Sequence, residues 1–223
     1  MGAFLDIFRV LYEPGAVFGR VAEKPKFWAP FIAIAILAVI VGYLMTPYQM
    51  AAQAAKLAEV AQANPAAAEN ARKFAGIGYL FAPVGYGIIL IILATVLWVL
   101  VSIFAGESKW GTLLSVATYV SITGILLQLV GAVVLMMKGV GSVTSPADLQ
   151  PALGLNLIAP SAGGFIGGLL GGINPFTIWG AFLYATGIQV THKTSKNAAW
   201  GASITLTLIT VLLFAALASL APK

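Results

Sequence analysis

Two glutamines, Gln128 and Gln189, stand inside long apolar runs, and the single histidine, His192, sits at the edge of one. With a scatter of serines, these are the groups that chemistry at depth would have to use. A glutamine among apolar neighbours makes an interhelical hydrogen bond, or forms one wall of a polar substrate site. A serine needs a base before it becomes a nucleophile. None of five apolar runs holds an Asp, Glu, Lys, Arg or His. Acid-pair hydrolysis inside a bilayer needs two carboxylates, a metal hydrolase needs histidine ligands, and a proton-coupled carrier needs a buried acid. The sequence therefore argues against an enzyme and offers no catalytic, cofactor or metal residue. His192, within His192-Lys193-Thr194-Ser195, reads as an interfacial polar residue rather than a pH sensor, since no sequence neighbour would shift it.

The other unusual pattern is glycine. Gly163, Gly167 and Gly171, and beside them Gly164, Gly168 and Gly172, recur four apart. On a helix they form two smooth ridges that let a second backbone come close. They match no phosphate-cradling motif. Packing on the chain's own helices is the expected role, with a gate or a dimer surface as the functional alternatives.

The elements that must carry these residues are membrane spans. The apolar runs cover about 27–46, 79–104, 112–137, 175–191 and 198–220. A hydrocarbon core about 30 Å thick needs about 20 apolar residues in a helix. The chain is 60% hydrophobic and 9% charged, well below the roughly 25% charged residues of a soluble domain. The fold class is all-α, a polytopic transmembrane helical bundle of five spans. Six is the alternative, because the glycine-rich 161–173 is about 13 residues, a length suited to an interfacial or re-entrant segment. Pro146, Pro151, Pro160 and Asn174-Pro175 break the chain around it. There is no cysteine, hence no disulfide or thiolate site.

Residues 1–26 form a separate segment ahead of the span domain, 27–223. Phe4, Ile7, Phe8 and Leu11 fall at helical spacing, with Asp6, Arg9 and Glu13 on another face. That suits an amphipathic helix at the membrane interface, or one packed on the bundle. Pro14-Gly15 ends it. The loop 48–73, rich in Ala and Gln, predicts one or two surface helices broken at Asn64-Pro65. Ala52-Gln53-Ala54 resembles a cleavage site, but the preceding run is too long for a removable signal, so the first span is expected to stay. With the amino terminus inside, the cytoplasmic side collects Arg9, Arg20, Lys24, Lys26, Lys109, Lys193 and Lys196. The other side takes Lys56, Arg72, Lys73, Lys138 and Lys223. That bias places the amino terminus in the cytoplasm of a multi-pass cell-membrane protein. Basic residues at span ends meet lipid headgroups and do not indicate nucleic acid.

Several pieces together resemble the Ypt-interacting (Yip) family of integral membrane proteins, in its prokaryotic branch. They are Ile7-Phe8-Arg9, Glu13-Pro14-Gly15-Ala16-Val17-Phe18, and Pro25 through Trp28-Ala29-Pro30. Trp110-Gly111-Thr112-Leu113-Leu114 with Ala117-Thr118-Tyr119 follows, then Asn174-Pro175-Phe176-Thr177-Ile178-Trp179 with Leu183 and Gly187-Ile188. The resemblance implies five spans and a cytoplasmic amino terminus. It departs at Val120-Ser121-Ile122, where the family has a proline, so a kink there is not expected. Eukaryotic relatives bind Rab-type GTPases, and no residues here match those contacts. The expected function is a membrane-organising or partner-recruiting scaffold whose partners are the bilayer, a membrane or peripheral protein, or a second copy of the chain. A small-solute channel gated at 161–173 is the alternative.

Overall fold

The computed structural model describes residues 2–150 and 153–220. Two short helices open the chain, α1 (Gly2–Arg9) and α2 (Pro14–Glu23). The first long helix is α3 (Trp28–Ala52). Two surface helices follow, α4 (Ala54–Ala63) and α5 (Pro65–Ile77), divided where Asn64 caps α5 through Ala67 N–H. Then come α6 (Ala82–Ala105), α7 (Trp110–Val120) and α8 (Ile122–Lys138), and after an irregular stretch α9 (Gly164–Gly172), α10 (Pro175–His192) and α11 (Lys196–Ser219). Among the described residues there is no strand.

Four spans are long enough by themselves: α3, the helix through α6, α7 with α8, and α11. A fifth is reached if α9 and α10 count as one crossing bent by 56°. Their outer faces are apolar, with Ile88, Ile92, Leu213 and Phe214 all exposed. Water would not tolerate so continuous an apolar surface, whereas a bilayer requires one.

The third span runs as one helix from Trp110 to Lys138 with a single turn residue, Ser121, which keeps right-handed helical backbone angles. Hydroxyls there turn back on the helix: Thr118 donates to Leu114 C=O at 2.7 Å, Ser121 to Thr118 C=O at 2.7 Å and Thr123 to Val120 C=O at 3.0 Å.

The bend between α9 and α10 has its own cause. Asn174 accepts from Phe176 and Thr177 N–H, both at 3.0 Å, and donates to Gly171 C=O at 3.0 Å. One side chain thus caps α10 and ties off α9, with Pro175 pre-set for the first helical turn. Asp148 organises the loop after α8, accepting from Thr144 and Ser145 N–H and both hydroxyls. Those donors hold its carboxyl below the usual carboxylate range, the Thr144 N–H most of all. Pro151 lies outside the described residues.

The middle of the bundle is α7, buried at every residue from Thr112 to Val120. Leu90 and Ala94 of α6 meet it on one side, and Leu97, Ile188, Ala199 and Ala202 meet Leu113 on another. Its remaining side faces the amino-terminal helices, and these position the candidate site.

Candidate functional site

The register of α3 against α6 leaves a space. Phe31 faces Gly87, Gly42 faces Tyr79, and Phe27 packs with Leu90 and Ala94. Beyond that level α6 continues to Ala105, about 16 Å further at 1.5 Å per residue. There α3 has ended, and α2 packs against α7 and α10 with α1 lying on α3. Ile7, Val10, Val17, Phe18 and Val21 are buried in one cluster with Ile34 and Ala38 of α3, Val116, Tyr119 and Val120 of α7, and Leu183 of α10. Phe18 reaches furthest. A Cβ on Gly187 would stand 3.2 Å from its ring and 2.7 Å from Val116 Cγ1, so only glycine lets α10 approach here.

Inside that apolar cluster sits one carboxylate. Asp6 has a side chain only 6% exposed and is gripped by Arg20, with Nε donating to Oδ2 at 3.0 Å and Nη2 to Oδ1 at 2.7 Å. Two parallel bonds from a planar guanidinium are the strongest form of this contact. Asp6 in turn raises the Arg20 pKa above its ordinary value, chiefly through that hydrogen bond. Arg9 stands 3.7 Å off on the other side. Tyr119 lines the same recess, about 13 Å along α7 from Trp110 at 1.5 Å per residue. The recess measures about 350 Å³ and is also lined by Glu23, Lys24 and Lys26. Ionisable groups brought beside a span are costly and usually mark function.

This node is not legible in the spans, which carry no charge of their own. Asp6 and Arg20 come from outside the spans, fourteen residues apart. The available signal was a lone acid on the apolar helix of the first segment. That segment's buried side also differs from expectation. Phe4 and Phe8, grouped with Ile7 as one apolar face, are 41% and 42% exposed. The Asp6–Arg20 pair turns Asp6, Ile7 and Val10 inward instead.

The residues singled out in the sequence fall elsewhere. Gln128 donates to the Tyr86 hydroxyl, tying α8 to α6. Gln189 points outward, and among the described residues its side chain has no hydrogen-bond partner. His192 accepts from Lys109 N–H at 3.2 Å through Nε2, while Nδ1 meets the Thr191 hydroxyl at 2.8 Å, so it latches the α6–α7 turn to α10. None of these converges with another.

The two glycine ridges separate. Gly168 would place a Cβ 2.8 Å from Ala215 Cα and Ala218 Cβ, and Gly172 would place one 2.8 Å from Val211 Cγ1. Gly164, at φ +57°, faces Ser219. This ridge lies on α11. Gly171 of the other ridge faces Asn156, Gly167 turns to Ala162 C=O, and Gly163 meets nothing within 4 Å. A larger side chain at position 168 meets backbone, which cannot rotate away. Gly168→Leu should therefore lose about 1–3 kcal/mol of stability, read as a lowered unfolding midpoint in detergent, while Gly163→Leu leaves it unchanged.

Among the described residues no three His, Cys, Asp or Glu side chains gather to hold a metal. A family model, the Yip1 domain, matches residues 8–217. The chain is 27% identical over 205 residues to "Membrane protein YknW" of Bacillus subtilis (strain 168), covering 90% of this chain and 84% of that protein. No solved structure matches it significantly. From the end of α1 through almost all of α11 the chain matches that model, and this multi-pass membrane protein belongs to the Yip1 domain family.

Proposed function

We propose that the protein is a non-enzymatic scaffold of the cell membrane, amino terminus in the cytoplasm, that recruits a partner through the outer face of α1. One observation carries this reading. The inner face of α1 is locked into the bundle, while Phe4, Leu5 and Phe8 stay exposed, as does Tyr12 in the turn that follows, at 68%. A short helix held so firmly presents those rings in a fixed geometry, as a docking face must. The occupant is a membrane or peripheral protein, or a second copy of the chain.

Deleting residues 1–26 would confound the test, because Ile7, Val10 and Phe18 would leave the core with them. The triple substitution Leu5→Ala, Phe8→Ala and Tyr12→Ala spares those positions. Extraction with native lipids followed by mass spectrometry should show a stoichiometric protein lost from the variant, at unchanged thermal stability. Equal recovery from both forms would end the scaffold reading.

A small-solute facilitator gated at 161–173 is the second reading. It draws on the 56° bend at Asn174 and on an apolar recess of about 530 Å³ bordered by Ile173, Trp179, Phe182, Trp200 and Leu208. Solute flux into proteoliposomes that Gly168→Leu abolishes would favour it over the scaffold.

A further inference from the structure

We propose that the recess between α1, α2 and α7 binds the phosphate of an anionic lipid headgroup, held by Arg9, Lys24 and Lys26 and oriented by the Arg20 that Asp6 fixes in place.

The charge is the first argument. Four cations, Arg9, Arg20, Lys24 and Lys26, and two carboxylates, Asp6 and Glu23, line the recess, which leaves a formal balance of +2 (four minus two). Asp6 occupies Nε and Nη2 of Arg20. Among the described residues the Nη1 edge makes no hydrogen bond. Among the described residues Lys24, Lys26 and Glu23 form no ion pair, so the two lysines are not neutralised by the nearest acid. Repulsion between such cations falls only when an anion joins them. A planar guanidinium already clamped by a carboxylate presents its free edge without further ordering, which favours a tetrahedral oxyanion.

Position is the second argument. Lys24 and Lys26 run directly into Phe27, Trp28 and Phe31, whose rings pack at centroid distances of 5.0 to 6.3 Å. Basic residues followed by an aromatic group open a span as interfacial anchors do, and here they meet α6 and α7 short of the ends of those helices, so a headgroup reaching them is drawn inward with local thinning of the bilayer. The same α1 that supplies Asp6 and Arg9 exposes Phe4 and Phe8, a surface for the acyl chains below a headgroup. A soluble anion would use the charges and leave those rings idle. At about 350 Å³ the recess is near the lower end of small-ligand sites, which suits one phosphate with its glycerol rather than a protein segment. The charged recess is separate from the exposed face of α1, and a protein partner there would share Phe4 and Phe8 with the acyl chains.

The test uses the full chain in phosphatidylcholine nanodiscs, with and without a minority of phosphatidylglycerol. Native mass spectrometry would count retained lipid, and tryptophan fluorescence would follow unfolding. Phosphatidylglycerol should be retained at about one per chain and raise the unfolding midpoint. The triple substitution Arg9→Gln, Lys24→Gln and Lys26→Gln should weaken retention by roughly tenfold or more, and its midpoint in pure phosphatidylcholine should match that of Arg9→Gln alone, which carries the lost Arg9–Asp6 contact. Lys56→Gln with Lys138→Gln, elsewhere on the chain, should leave retention intact. Equal retention of both lipids, or by the triple variant, overturns the proposal. Inorganic phosphate that displaces the lipid and stabilises the protein alone would assign the recess to a soluble anion and overturn the lipid as its source.

Discussion

Phe18→Ala is expected to release α1 and α2 from the bundle, at a cost of about 3–5 kcal/mol. Phe18 is wholly buried, and its ring fills the gap where Gly187 of α10 and Val116 of α7 come closest. Gly187 has no side chain to fill the vacancy, and Val116 is fixed on the central helix. Transfer to lipid offers no compensation, since lost packing rather than lost water exclusion holds helices together in a bilayer. The spans themselves should survive, for each satisfies its own backbone. Limited trypsin digestion distinguishes the two effects. Cleavage at Arg20 and Lys26 should accelerate strongly, while the fragment from α3 to α11 stays intact. Gly187→Ala should cost about 1–3 kcal/mol alone, and less in the Phe18→Ala background, because part of its crowding is Phe18 itself. Unchanged digestion of Phe18→Ala would mean that α2 is held by something other than this contact.

The spans were legible because the bilayer demands unbroken apolar runs, and runs can be read without knowing any neighbour. The breaks were legible for a similarly local reason. Asn64-Pro65 and Asn174-Pro175 each place a capping side chain before a proline, and each begins a helix. The single turn residue at Ser121 carries no such local mark, since hydroxyls bond back to the helix in the same way within unbroken α6 and α11. The site was hidden for a different reason. Helical spacing groups Phe4 with Ile7, yet the face that α1 buries is chosen by a pairing between Asp6 and Arg20 that spans a turn and another helix. No periodicity within eight residues encodes that. The glycine ridges show the same limit: spacing revealed both, and only tertiary contact separates the one on α11 from the one facing Asn156.

Arg20→Met should be more damaging than the removal of its partner. Asp6 keeps only 6% of its side chain exposed, whereas Arg20 is 47% exposed. Without Arg20 the carboxylate is left among Ile7, Val10 and Tyr119, with Arg9 at 3.7 Å as the remaining cation. An unpaired buried charge costs about 3–5 kcal/mol, and the half-exposed setting of this pair together with Arg9 reduces that to about 2–3 kcal/mol. Asp6→Asn leaves the guanidinium free to reach water, so a loss of about 1 kcal/mol is expected. The double variant Asp6→Leu with Arg20→Met removes both charges and fills the space with apolar atoms, and it should recover most of the stability. Unfolding midpoints of the four forms give the order directly. If Asp6→Asn proves as harmful as Arg20→Met, the pair matters for its hydrogen-bond geometry more than for its buried charge. The double variant also separates two roles of this corner. It retains Arg9, Lys24 and Lys26, so a stable bundle that still loses phosphatidylglycerol would identify the Arg20 edge, positioned by Asp6, as part of the anion site and not merely as a brace for α1.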